Sequence, residues 1–142
     1  MSKLALACAM FRLDPKTVYR TAITPMPGSI RRYAEQIVEP KQCYDNCRRL
    51  MEQLVHKNMK YVVGVGFHHI PFEHAILQLE DGTFVDPTLE IINPSAATDF
   101  VVGYSLDFGQ LVDVMIKLGR APSLVDMVNL KNDVILPDVV FD

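Results

Sequence analysis

The sequence has few of the residues that form disulfides or bind metal ions. It contains three cysteines and four histidines, and it has no tryptophan. Three cysteines cannot all pair within one chain, so a disulfide framework is not expected and a reducing, cytoplasmic setting fits best. Any thiol or imidazole chemistry must draw on these few side chains.

Long apolar runs and an excess of basic charge are also missing. The longest apolar runs, 4–11 and 61–67, fall far short of the ~20 residues of a membrane-spanning helix. The first run superficially resembles a leader, but the stretch before Cys8 is much shorter than the ~15–30 residues that a secretory leader needs. The net charge is −3, which argues against a general nucleic-acid binder. We expect neither nucleic acid nor a membrane among the partners.

The remaining composition is that of an ordinary globular protein, with 49% apolar and 22% charged residues. The length of 142 residues favours a single domain over 1–142. A chain of this size buries roughly two-thirds of its unfolded surface, so it needs neither a disulfide nor a metal ion to fold. We expect no cofactor.

The clearest helical pattern lies at 41–57, directly after Pro40. Apolar side chains recur there every three or four residues and form one buried stripe. The earlier apolar run at 4–11 is predicted to be a buried strand or helix. The members of the 41–57 stripe are Cys43, Tyr44, Cys47, Leu50, Met51, Leu54 and Val55.

Three further helices complete the helical prediction. Ser29 is positioned to cap the first of them, and the other two make up a C-terminal helical segment at 105–131. An apolar tail at 133–142 follows, which we interpret as an edge strand or an arm that docks on a protein partner. The predicted helices span 30–38, 108–118 and 123–130.

The β-rich stretches indicate an antiparallel meander after the long helix. Asp81-Gly82 is typical of a tight hairpin turn, which places residues near Gln78 opposite Val85 and Asp86. We interpret Gly64 and Gly66 as relief of crowding where strands curve or pack against the helix. The predicted fold is therefore α+β, a long helix packed on a small antiparallel sheet with additional C-terminal helices. The predicted strands are 61–67, 72–79, 84–85 and 100–104.

Cys43, His74 and Asp86 stand out by residue type, order and predicted placement. Cys43 falls in the first turn of the long helix, where the helix N-terminus favours a thiolate. His74 lies near the start of a strand, and Asp86 ends the next strand. A nucleophile, a base and a carboxylate that orients the base form a catalytic triad in its cysteine form.

The same residues carry a resemblance to a known superfamily. The stretch 42–88, about a third of the chain, resembles the core of transglutaminase-like and papain-like cysteine enzymes, and the corresponding catalytic-like core spans 41–88. In that superfamily the cysteine opens a helix, the histidine begins a strand and the acidic residue ends the following strand. The motifs that carry the resemblance are Gln42-Cys43-Tyr44, His74-Ala75 and Asp86-Pro87-Thr88.

The resemblance implies a cysteine hydrolase or acyl-transferase that acts on an amide, isopeptide or (thio)ester bond. The Cys43 thiolate attacks the carbonyl carbon, and His74 moves the proton. The backbone N–H of Cys43 and the side chain of Gln42 hold the oxyanion. The implied substrate is a protein or is peptide-like, and water or an amine completes the reaction.

Other interpretations of these residues stay open at the level of sequence. Cys47 is the substitute nucleophile if the helix begins later than predicted. A non-catalytic binding or inhibitor protein on the same fold is an alternative, with the tail at 133–142 as its contact. A metal-binding protein is the third, with zinc or another divalent ion held by nitrogen and oxygen ligands. Its candidate ligands are His68, His69, Glu73, His74 and Asp86.

Overall fold

A computed structural model describes residues 1–93 and 99–132. Within them, five strands form one antiparallel sheet in the order β1-β5-β2-β3-β4. The predicted α+β class and the meander of the second to fourth strands are confirmed. The strands are β1 (Tyr19–Ala22), β2 (Lys60–His68), β3 (Ile70–Gln78), β4 (Phe84–Val85) and β5 (Asp99–Leu106).

The described residues also form six α-helices. The run near the N-terminus is the first of them, which settles the strand-or-helix alternative in favour of a helix. The predicted bounds 108–118 are reproduced by the fifth. The helices are α1 (Lys3–Phe11), α2 (Gly28–Ile37), α3 (Cys43–Gln53), α4 (Pro87–Ile92), α5 (Phe108–Leu118) and α6 (Leu124–Lys131).

The long helix is shorter than its apolar stripe suggested. The prediction of a helix over 41–57 is wrong at both ends, because α3 begins at Cys43 and ends at Gln53. Lys41 has a left-handed φ of 62°, which cannot continue a helix. A separate 3-10 turn, Val55–Lys57, follows α3, and Val55 is 50% exposed, so the buried stripe does not reach it.

Other element ends also differ from the sequence prediction. Ser29 is not a cap, because α2 already begins at Gly28 with Pro27 before it. The strand β3 begins at Ile70, two residues earlier than predicted. In the hairpin, Val85 pairs with Leu77, the neighbour of Gln78, which agrees with the predicted pairing, while Asp86 lies beyond the end of β4. The tail at 133–142 lies outside the described residues.

The sheet is curled so that its two edge strands approach each other. Ile23, directly after β1, forms a parallel bridge with Phe84 of β4, and the Thr24 N–H donates to the Phe84 carbonyl at 2.8 Å. A small apolar cluster fills the concave side, while the helices pack on a larger cluster. The buried members of the small cluster are Val62, Ile76, Phe84, Phe100 and Val102.

Glycine is required where β2 approaches its neighbours most closely. A Cβ atom at Gly64 would lie 2.0 Å from the Val101 carbonyl oxygen, at a register shift between β2 and β5. A Cβ atom at Gly66 would lie 2.8 Å from Cζ of the Phe72 ring. The glycine pair does relieve crowding, but its partners are a strand and a ring instead of the helix.

Over residues 1–93 and 99–132, no helix has both the length and the apolar character to cross a bilayer.

Candidate active site

Cys43 is the first residue of α3 and is half-buried. The Asn46 N–H donates to the Gln42 carbonyl at 2.7 Å and closes the first turn. The N–H of Cys43 itself lies among the first amides of the helix, which have no partner within it. Cys43 therefore lies at the positive end of the helix dipole.

His74 and Asp86 form a buried hydrogen-bonded pair. Both residues are only 5% exposed, and Nε2 of His74 lies 2.8 Å from Oδ2 of Asp86. The second oxygen of Asp86 accepts from the Leu89 N–H at 3.0 Å, which makes Asp86 the N-cap of α4. Both carboxylate oxygens are thus held, and the carboxylate fixes the orientation of the imidazole ring.

Cys43 approaches the other side of the same ring. Burial alone lowers the pKa of His74, but the hydrogen bond with Asp86 and the nearby Cys43 thiol raise it to about 10. Since Nε2 faces Asp86, Nδ1 is the ring nitrogen left for the Cys43 thiol. The three residues predicted as a triad are brought together in the order thiol, imidazole, carboxylate.

An opening in the sheet gives α3 access to His74. At this position β3 is paired with β2 only, opposite Gly64, because β4 reaches no further along β3 than Leu77. The chain leaves the sheet at Asp86 and turns into α4. The first turn of α3 therefore meets β3 at an unpaired edge.

A buried polar network ties α3 to the Asp86-Pro87-Thr88 segment. Asn46 is fully buried and donates to the Glu39 carbonyl at 2.8 Å and to the Thr88 hydroxyl at 3.0 Å. Its own oxygen accepts from the Glu39 N–H at 3.1 Å. Sequence reasoning missed Asn46, although its position three residues after Cys43 places it beside the buried stripe.

Two aromatic rings border His74. Phe72 stands edge to face with it at 5.3 Å between ring centroids, and Phe100 does the same at 6.5 Å. Because Gly66 has no side chain, the Phe72 ring can occupy the space above β2. These rings limit the water around the imidazole, which strengthens its bonds with Asp86 and Cys43.

The remaining predicted residues are placed less decisively. Gln42 precedes Cys43 and is exposed, and no hydrogen bond of its side chain is found in the described part of the chain. The side-chain amide of Gln42 therefore belongs to the residue next to Cys43 in the chain. Cys47 is fully buried, and burial holds its pKa well above the usual value. A buried, protonated thiol is a poor substitute nucleophile.

The candidate metal ligands do not converge. Among residues 1–93 and 99–132, no group of three or more His, Cys, Asp or Glu side chains could hold an ion. Glu73 is bound to the Tyr44 hydroxyl and His74 to Asp86. His69 has a left-handed φ of 66°, and its ring lies 4.4 Å from the ring of His68.

Comparison of the chain with models of known protein families, with curated proteins and with solved structures finds no match. The resemblance to transglutaminase-like and papain-like enzymes therefore stays one of short motifs and their order. Any function proposed for the site therefore rests on its geometry.

Proposed function

We propose that the protein is a cysteine-dependent hydrolase or acyl-transferase that uses Cys43, His74 and Asp86. The observation that carries this proposal is the position of His74, buried between a carboxylate on Nε2 and a thiol on its other side. A histidine that joins an acid to a half-exposed thiol at a helix N-terminus can move a proton.

The reaction begins with a Cys43 thiolate and a His74 imidazolium, which stabilise each other. The sulfur attacks the carbonyl carbon of an amide, isopeptide or (thio)ester, and the carbonyl electron pair moves onto oxygen. When the tetrahedral intermediate collapses, the bond to the leaving group breaks and the leaving group takes the proton from His74. The product is a thioester on Cys43.

The second half of the reaction returns the enzyme to its starting state. Water or an amine attacks the thioester and gives its proton to neutral His74. The carbon–sulfur bond breaks, and the thiolate is regenerated beside the imidazolium. The free N–H of Cys43 and the exposed amide of Gln42 are the donors for the oxyanion in both halves.

The setting of the site supports a protein or peptide-like substrate in a reducing compartment. The chemistry requires Cys43 to stay a free thiol, and Cys8, Cys43 and Cys47 are all unpaired. No step needs a metal ion or an organic cofactor. A cytoplasmic location follows from the need for a free thiol.

The test is capture of the acyl-enzyme with an activated aryl ester such as 4-nitrophenyl acetate. We expect intact-mass spectrometry to show one acetyl group, which peptide mapping assigns to Cys43. Cys43→Ala abolishes this species, while Cys8→Ala leaves it unchanged and serves as the matched thiol control.

Two outcomes would contradict the proposal. One is acetylation spread over surface lysines without preference for Cys43. The other is an equal ester turnover by wild type and by Cys43→Ala. Either result would favour the non-catalytic binding protein, whose biological effect should survive the loss of Cys43.

A further inference from the structure

A hydrogen bond joins a chain neighbour of Cys43 to a chain neighbour of His74. Tyr44 directly follows Cys43, and Glu73 directly precedes His74. The Tyr44 hydroxyl donates to Oε1 of Glu73 at 2.8 Å. A single hydrogen bond therefore joins the helix turn that carries the thiol to the strand that carries the imidazole.

This bond lies on the side of β3 opposite to His74. Successive side chains of a strand point to opposite faces, so Glu73 and His74 diverge. Glu73 pairs with Val65, which belongs to the large apolar cluster, while Ile76 shares the face of His74 and belongs to the small one. The first turn of α3 thus meets β3 at two neighbouring residues, with Cys43 near His74 and Tyr44 bonded to Glu73.

The Tyr44 hydroxyl is held as a donor to Glu73. Burial and the bond to Glu73 raise the pKa of Tyr44, so the phenol stays neutral and keeps its proton to donate. The bond therefore keeps its donor at neutral pH.

We propose that Tyr44 and Glu73 are positioning residues that set the distance and angle between the Cys43 thiol and the His74 ring. This inference rests on the proposed function. The Tyr44–Glu73 bond fixes the first turn of α3 to β3 one residue away from the thiol and from the imidazole, so its loss lets these two groups move relative to each other. A displacement of about 1 Å at a reacting pair costs on the order of 100-fold in rate.

The experiment measures the second-order rate of iodoacetamide labelling of Cys43 from pH 5 to 9.5, by peptide mass spectrometry. We expect Tyr44→Phe to slow labelling at pH 6 by about 10-fold and to make the profile more like that of a free thiol. Glu73→Ala should match it, and the double variant should add little, because both changes break one bond. Glu73→Gln keeps an acceptor oxygen and should lose less than Glu73→Ala.

Tyr61→Phe is the matched control. It also removes a buried hydroxyl, but that hydroxyl donates to the Pro122 carbonyl at 2.6 Å and not to a residue of the site. It should lower the free energy of unfolding by about 1 kcal/mol and leave the labelling profile unchanged. If Tyr44→Phe and Tyr61→Phe alter labelling equally, the effect is one of stability and the positioning role is wrong.

The two proposals fail in distinguishable ways. A wild-type Cys43 that reacts no faster than Cys8 overturns both the proposed function and the inference. A fast wild-type Cys43 whose rate and pH profile survive both Tyr44→Phe and Glu73→Ala overturns the positioning role alone. Should Tyr44→Phe fail to fold, Glu73→Ala and Glu73→Gln decide the question by themselves.

Discussion

Replacing Asp86 by asparagine tests the link between the acid and the imidazole with almost no change in shape. Asparagine is as good an N-cap as aspartate, so the Leu89 N–H keeps an acceptor and α4 keeps its start. Asparagine has one acceptor oxygen, however, whereas Asp86 uses two. Its amide NH₂ then faces Nε2 of His74, and the ring proton must move to Nδ1, towards Cys43.

The size of the effect follows from the bond that is lost. A hydrogen bond to a charged group contributes about 1.5–3 kcal/mol, and one pKa unit corresponds to about 1.36 kcal/mol. The pKa of His74 should therefore fall by about 1–2 units from its raised position. A ring whose pKa is lower by about 1–2 units gives up its proton more easily, so the pair of Cys43 thiolate and His74 imidazolium is less populated. We expect the labelling of Cys43 at pH 6.5 to slow by about 10-fold to 100-fold.

The same substitution lowers the free energy of unfolding by an amount that depends on pH. Because the pKa of His74 is raised above its usual value of 6.5, the stabilisation is fully present below pH 6.5 and is lost as the pH rises towards about 10. The difference in unfolding free energy between wild type and Asp86→Asn should therefore be largest at pH 6 and shrink towards pH 10. Urea denaturation at pH 6, 8 and 10 measures it.

Two results would refute this reasoning. One is a labelling profile of Asp86→Asn that superimposes on that of the wild type. The other is a stability difference that grows with pH, because a raised histidine pKa requires the opposite sign. Thr88→Val, which also changes a buried polar side chain of α4 but leaves the His74 bond intact, is the matched control.

Three further changes test the scaffold around the site. Gly64→Ala should cost about 3 kcal/mol in urea denaturation, because its Cβ meets a backbone oxygen at 2.0 Å; a neutral effect would contradict the close approach of β2 and β5. Gly66→Ala should lower the free energy of unfolding by less, because the Phe72 ring can move away from the new Cβ atom. That movement should alter the ring-current shift of His74 in NMR spectra, and an unchanged shift would show that Phe72 had not moved. Asn46→Ala should cost about 2–3 kcal/mol by thermal or urea unfolding, and a loss below about 0.5 kcal/mol would mean that its bonds carry no net stability.

The residues of the site could be predicted because each has a local signal. Cys43 begins an amphipathic helix, His74 lies in a β-rich run, and Asp86 is followed by proline at the start of a helix. Residue type and order are enough to propose that such residues meet. Their contact was beyond the sequence, because it depends on how far β4 extends along β3.

The supporting contacts could not be predicted, because they join segments distant in the sequence. Tyr44 and Glu73 are 29 positions apart, and Asn46 and Thr88 are 42 apart. Tyr44 was read as part of an apolar stripe, and Glu73 as a candidate metal ligand. Nothing in their own neighbourhoods predicts a polar partner across the fold, since that depends on the packing of α3 against the edge of β3.

The protonation state of His74 tests the central claim most directly. Ring nitrogen shifts of the histidines in ¹⁵N-labelled protein, followed from pH 5 to 10.5, report it residue by residue, with His74→Gln to assign the signal. We expect His74 to remain an imidazolium through neutral pH and to titrate near pH 10, and to titrate lower in Cys43→Ala and in Asp86→Asn. A His74 that titrates near 6.5 in all three proteins would contradict the account, because neither the thiol nor the carboxylate would then be acting on the ring.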